Sequence, residues 1–164
     1  MIIGVIGGSH CSPEIYKLAE EVGERIAISE NILICGGLSG VMEAVCKGAK
    51  SKKGLTIGIL PGKLKSDANP WVDIPITTGM GVARNVIIVR SSDSIIAIDG
   101  SHGTLSELAI AANLGVPIVG LKTWEVVHHG VDLPIKRVNT PKEAVELAIK
   151  LSYDQTSRSQ REII

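Results

Sequence analysis

Four glycine-bearing turns each follow a strand-like apolar run and precede a segment of helical periodicity. Glycine lets the backbone approach a ligand closely, and the helix that follows offers unpaired N–H groups and the positive end of its dipole, a combination that binds phosphate. In a parallel sheet, all four turns emerge at the carboxyl edge. The candidate ligand-binding residues in these turns are Gly7, Gly8, Ser9, Gly36, Gly37, Gly40, Gly79, Met80, Gly100, Ser101, His102, Gly103 and Thr104.

A single glycine turn is weak evidence, because any tight strand-to-helix connection can need a residue with positive φ. Neither the dinucleotide-binding fingerprint nor the P-loop motif is complete in this sequence. The prediction of a phosphorylated ligand therefore rests on the convergence of four turns at one edge.

Two charged residues, Arg84 and Glu107, are predicted to face this edge as the candidate catalytic pair. Glu107 lies in the first turns of a helix, where the dipole favours its charged form. Arg84 lies in the first turn of the preceding helix, which is a poor position for a cation unless an anion is close. The alternative is an ordinary helix acid with a solvated salt-bridge partner.

Histidine and cysteine offer a weaker candidate site. His10, Cys11, Cys35 and His102 fall at strand ends, but no pair of them has the spacing of metal ligands, so no metal is predicted. Cys35 and Cys46 are expected to be small buried hydrophobes. His102 is kept as a ligand contact.

The elements that must position these residues alternate between strand and helix. Apolar runs predict strands at 2–6, 32–35, 55–60, 74–77, 94–98 and 117–121, and helical periodicity predicts helices at 13–28, 40–51, 81–91, 103–114 and 140–151. The alternation predicts an α/β fold, a Rossmann-like, doubly wound and mainly parallel sheet flanked by helices in three α/β/α layers. Segments 61–71 and 123–134 break the alternation as candidate lids or linkers.

Length and composition limit the functions that the chain can serve. At 164 residues, we expect a single nucleotide-binding domain at 1–151 and a polar, frayed tail at 152–164. Seventeen basic residues balance seventeen acidic ones, which argues against a nucleic-acid or membrane-surface partner. Three cysteines without a framework, no secretory leader and no apolar run of about 20 residues predict a cytoplasmic protein.

Several segments together resemble a known superfamily over roughly residues 2–121. These segments are ICGG at 34–37, GVM at 40–42, TGMGVARN at 78–85, SD at 92–93 and GTLSELA at 103–109. The chain resembles the "Lonely guy" proteins, including those once labelled lysine decarboxylases, and is most similar to the branch of molybdenum cofactor carrier proteins. This resemblance implies a dimeric or tetrameric homo-oligomer, which the apolar helices near Val86 and Leu114 also favour.

In the hydrolase branch, the resemblance implies that an Arg and a Glu at the positions of Arg84 and Glu107 cleave a glycosidic bond. This chain has Asp99 where that motif has Pro, Ser101 where it has its second Gly, and Asn85 where it has Lys. These differences count against hydrolysis more than they count against phosphate binding.

The leading hypothesis is therefore a carrier-like protein that binds a nucleoside monophosphate or a molybdopterin-type cofactor, with no cofactor required for chemistry. The alternative is a nucleoside 5′-monophosphate phosphoribohydrolase. Lysine decarboxylation has no support, because no Lys in these loops is placed for a pyridoxal Schiff base. A DNA-processing protein of related fold would need a basic face that the balanced charge does not favour.

Overall fold

The computed structural model describes residues 1–161, without the side chains of residue 128 and of residues 155–161. The strands are β1 (Ile2–Gly7), β2 (Ile32–Cys35), β3 (Thr56–Leu60), β4 (Ile74–Thr77), β5 (Ser94–Ile98), β6 (Ile118–Leu121), β7 (Val127–His128), β8 (Val131–Asp132) and β9 (Ile135–Val138). The helices are α1 (Pro13–Ile28), α2 (Val41–Ser51), α3 (Asn85–Arg90), α4 (His102–Leu114) and α5 (Pro141–Arg161), with 3₁₀ turns at Lys65–Asp67 and Gly81–Arg84.

Seven strands form one sheet in the order β4-β3-β2-β1-β5-β6-β9, and every neighbouring pair in it is parallel. Helices α1, α2 and α5 pack on one face of the sheet, and α3 and α4 pack on the other. The predicted Rossmann-like, three-layer architecture is thus confirmed. The chain winds outward from β1 to β4 and then returns to β5 on the other side of β1, which leaves a crevice at the carboxyl ends of these strands.

Two glycines allow α2 to pack closely against α1, which fixes the position of α2 on the sheet. A Cβ atom on Gly23 would lie 2.0 Å from the carbonyl oxygen of Val45, and one on Gly48 would lie 1.9 Å from that of Glu20. The two helices therefore pack backbone against backbone, which only glycine permits. The amino terminus of α2 is held at the crevice as a result.

Two differences from the sequence-based prediction concern the last helix and the predicted helix at 81–91. The last helix was expected to end at residue 151, but α5 runs to Arg161, and Ser152 is buried with its Oγ donating to the Ala148 carbonyl. The frayed-tail prediction is therefore wrong for residues 152–161, while residues 162–164 lie outside the described residues. The predicted helix at 81–91 is divided into the 3₁₀ turn Gly81–Arg84 and helix α3.

Strand β9 was missed, because two of its four residues are the exposed Lys136 and Arg137. The hairpin of β7 and β8 lies within the predicted irregular segment 123–134. Within residues 1–161, no helix is long and apolar enough to cross a membrane.

Candidate functional site

A cleft lies in the crevice between β1, β2 and the amino terminus of α4, and its roughly 670 Å³ of empty space includes open solvent at the mouth. Eight of the predicted site residues line the cleft: Gly7, Ser9, Gly36, Arg84, Ser101, Gly103, Thr104 and Glu107. The structure thus brings together residues from four separate segments that the sequence placed at one sheet edge.

Arg84 and Glu107 form the charged centre of this cleft. Arg84 Nη1 lies 3.7 Å from Glu107 Oε1, and the two residues are only 8% and 5% exposed. The alternative of a solvated surface pair therefore does not hold. Arg84 Nε is also buried, and among the described residues no group accepts a hydrogen bond from it.

Burial shifts both groups towards their neutral forms. It raises the pKa of Glu107 to about 7, although the nearby Arg84 charge pulls in the opposite direction. Burial likewise lowers the pKa of Arg84, while the Glu107 carboxylate opposes that shift. Each charge is incompletely compensated by the other. Ionisable groups with shifted pKa values cluster at functional sites.

Two helix amino termini open at the same cleft without side-chain caps. The residues before α2 and α4, Gly40 and Ser101, make no capping hydrogen bond with their side chains. By contrast, α1 is capped by Ser12, and the Thr140 hydroxyl at the start of α5 accepts from the Glu143 N–H. The Val41 N–H of α2 donates to the Gly8 carbonyl oxygen, so the ready donors for an anion are the N–H groups that follow it and those of the first turn of α4, with the positive helix dipole behind them.

The glycine loop that follows β2 contacts the loop that follows β1. A Cβ on Gly40 would lie 2.5 Å from the Gly8 carbonyl oxygen, and the Val41 N–H donates to that oxygen at 3.0 Å. The Gly37 N–H donates to Cys35 Sγ at 3.4 Å. Gly8 and Gly40 therefore bring the loops after β1 and β2 into backbone contact, while the Gly37 contact lies within its own loop; none of the three glycines lines the cleft.

The four remaining predicted residues, Gly100, His102, Gly79 and Met80, also do not line the cleft. Gly100 packs against the cleft residue Thr104, since a Cβ on the glycine would lie 2.6 Å from the threonine Cβ. His102 is exposed, and its ring centroid lies 6.3 Å from that of Trp124 in a tilted arrangement. Gly79 and Met80 follow β4 and directly precede the cleft residue Gly81.

Sequence reasoning missed half of the cleft. The missed residues are Val5, Ile6, Leu38, Met42, Pro61, Gly81, Val82 and Asn85. Most are apolar, and along the sequence they look like the ordinary core of strands and helices. Asn85 carried a usable signal, since it follows Arg84 directly within the segment that carries the resemblance.

Cysteine contributes no metal site to the described part of the chain. Cys35 and Cys46 are fully buried, as expected, with their sulfur atoms 3.5 Å apart. The hydrogen bond to Cys35 and burial together raise the pKa of the Cys46 thiol. No group of three or more His, Cys, Asp or Glu side chains in residues 1–161 is arranged to hold a metal ion.

Solved structures with this fold include proteins named for molybdenum cofactor. The molybdenum cofactor binding protein of Rippkaea orientalis is 38% identical, covers 92% of this chain and 96% of its own, and superposes with a TM-score of 0.84. The Moco carrier protein of Chlamydomonas reinhardtii is 34% identical, with coverage of 93% and 98% and a TM-score of 0.81.

A relative of known sequence is named for an enzyme activity. The cytokinin riboside 5′-monophosphate phosphoribohydrolase of Mycobacterium tuberculosis is 34% identical over 120 residues, which are 68% of this chain and 64% of that protein. The family model of the SLOG cluster 4 family matches residues 1–150. With this match over nearly the whole chain, the protein belongs to the SLOG cluster 4 family.

Proposed function

We propose that this protein binds a phosphorylated, nucleotide-like small molecule in the cleft and carries it without turnover. The ligand is a nucleoside monophosphate or a molybdopterin-type cofactor. The observation that carries the proposal is the buried Arg84, whose donors face a cleft flanked by the uncapped amino termini of α2 and α4. Cationic and N–H donors that converge on one open space suit a phosphate group.

The named relatives support this ligand class from two directions. Two similar structures are named for binding or carrying molybdenum cofactor, and one relative is named for acting on a nucleoside monophosphate. Both kinds of ligand combine a phosphate with a planar heterocycle. In this chain, Leu38, Met42 and Val82 line the cleft and offer such a ring an apolar surface.

The backbone at Asp99 favours carriage over hydrolysis. The hydrolase motif that the sequence resembles has Pro at this position, and the proline ring fixes φ near −65°. Asp99 has a φ of 50°, which a proline cannot adopt. The loop that leads into α4 therefore has a conformation different from any that the proline-containing motif can take.

A phosphoribohydrolase is the second candidate, because Glu107 lies in the cleft with a pKa of about 7. Such a carboxyl can donate or accept a proton near neutral pH, and its charged form can stabilise positive charge on a sugar. However, Glu107 is the only acidic residue that lines the cleft in the described part of the chain. A scheme with two carboxylates is therefore not supported.

One incubation separates the two candidates. Purified protein is dialysed against AMP, bound AMP is measured at equilibrium, and free adenine is assayed by chromatography. Carriage predicts saturable binding with no adenine above a protein-free control. Adenine release that is abolished in Glu107→Gln would establish the hydrolase instead. If AMP, GMP and a pterin phosphate all fail to bind at millimolar concentration, both candidates are wrong.

A further inference from the structure

We propose that Asn85 and Ser106 are positioning residues that hold Arg84 and Glu107 apart, so that the Arg84 guanidinium keeps its donors for the ligand. The inference rests on the proposed function only for the use to which those donors are put. The hydrogen bonds that join Asn85 to Ser106 and to the Gly103 carbonyl oxygen, which together form the clamp, are present in the unliganded protein.

The clamp and the ion pair are adjacent links between the same two segments. Asn85 Nδ2 donates to Ser106 Oγ at 3.0 Å and to the Gly103 carbonyl oxygen at 3.4 Å, and Ser106 Oγ donates to the same carbonyl at 2.7 Å. Asn85 follows Arg84, and Ser106 precedes Glu107. The clamp therefore fixes the spacing between these two segments at the residues next to the charged pair.

The separation that results is unusual for two buried opposite charges. An arginine and a carboxylate that are free to approach form hydrogen bonds of about 2.7–2.9 Å, often as a bidentate pair. Arg84 Nη1 and Glu107 Oε1 stop at 3.7 Å, which is beyond hydrogen-bond distance. The two groups attract each other across this gap, but no hydrogen bond joins these two atoms.

A second contact limits the guanidinium from the opposite side. A Cβ on Gly36 would lie 2.6 Å from both Arg84 Nη1 and Nη2, so the group lies against the bare backbone of Gly36. Arg84 therefore has neighbours in the Gly36 backbone and in Glu107 of α4. Its buried Nε has no acceptor among the described residues, so part of the guanidinium's donor capacity is unused in the unliganded protein.

Ser106 offers a test from outside the cleft, because it is exposed and does not belong to the cleft lining. Ser106→Ala removes the acceptor for Asn85. Ser51→Ala is the matched control, since Ser51 Oγ donates to the Gly48 carbonyl at 2.7 Å with the same three-residue spacing on another helix. Ser106→Thr retains the hydroxyl and serves as the rescue variant.

The first readout is the titration of the Glu107 carboxyl by carbon NMR in unliganded protein. We expect its midpoint, near pH 7 in the wild type, to move to lower pH in Ser106→Ala because Arg84 can then approach the carboxylate. Ser51→Ala and Ser106→Thr should keep the wild-type midpoint. A structural role alone would lower the melting temperature without moving this titration, and an unmoved midpoint in Ser106→Ala overturns the inference.

The second readout is the dissociation constant for AMP at pH 7. We expect Ser106→Ala to bind about tenfold more weakly, the scale of one charge-assisted hydrogen bond. Wild-type affinity in this variant, with a shifted titration, would mean that the clamp does not serve the ligand and would overturn that part of the inference. If the wild type itself binds no AMP, the proposed function fails while the titration still tests the clamp.

Discussion

At the scale of single residues, Arg84 and Glu107 form the charged centre of the cleft, where burial shifts the pKa of both groups. They were expected at one edge because a helix dipole favours a carboxylate at Glu107 and disfavours a cation at Arg84, and the structure puts them 3.7 Å apart. Their burial could not be read from the sequence, because it depends on Gly36 and on side chains such as Met42 that come from other elements. Burial is nevertheless what sets the pKa of Glu107.

The raised pKa of Glu107 predicts how folding stability depends on pH. A carboxyl whose pKa rises from 4.5 to about 7 on folding adds stability that is fully present below pH 4.5 and is lost as pH rises through 7. The full effect is about 3 kcal/mol, from about 1.4 kcal/mol per pKa unit. Between pH 4.5 and 8, the free energy of unfolding of the wild type should therefore fall by about this amount relative to Glu107→Gln.

Urea unfolding of both proteins across this pH range measures the difference. Glu21→Gln, a change of the same type in an exposed pair with Arg25, is the control variant. A wild-type curve that stays parallel to that of Glu107→Gln would show that Glu107 is ionised normally in the folded protein.

At the scale of elements, the buried strands and the well-capped helices were predicted most closely. Helix α1 begins at Pro13 as expected, because Ser12 accepts from the Ile15 N–H and the apolar residues recur on one face. Polar segments were harder: β9 and the extension of α5 to Arg161 carry charged residues that look like loop or tail in isolation. Pairing with β6 stabilises β9, and no local pattern encodes that contact.

The amino terminus of α4 gives a prediction about where the ligand lies. A Cβ on Gly103 would meet no atom within 4 Å, so Gly103→Ala should fold with an unchanged or slightly higher melting temperature. Gly103 lines the cleft, however, and the added methyl would occupy space next to the first-turn N–H groups. We expect AMP affinity to fall at least tenfold.

The comparison variant is Lys17→Ala, an exposed change on α1 that should leave both stability and AMP affinity close to wild type. Undiminished AMP binding by a well-folded Gly103→Ala protein would place the phosphate away from this helix terminus.

At the scale of the whole molecule, the strand order creates the site. The chain adds β2 to β4 on one side of β1 and β5, β6 and β9 on the other, and the cleft opens where this winding reverses, between β1 and β5. The sequence predicted a doubly wound sheet because strands and helices alternate. The order of the strands, with β1 between β2 and β5, follows from crossovers that no single segment specifies.

The apolar outer face of α3 and α4 predicts self-association. Val86 is 39% exposed, and it lines a groove with Ala109, Ile110 and Leu114. Helix α4 carries no charged residue after Glu107, and a helix that is apolar on both sides is normally covered. Light scattering should give a mass of at least twice the 17.3 kDa chain, and Ile110→Lys should reduce it towards the monomer. A wild-type mass of one chain would refute this prediction.

Arg84 is proposed to bind the phosphate of the ligand, and calorimetry of AMP against adenosine tests this role most directly. The wild type should prefer AMP, and Arg84→Ala should lose that preference by about 10- to 100-fold, the range expected for hydrogen bonds to a charged group. Arg25→Ala, a change on the surface of α1, should keep the wild-type preference. An Arg84→Ala protein that is folded and still prefers AMP over adenosine as strongly as the wild type would contradict the account.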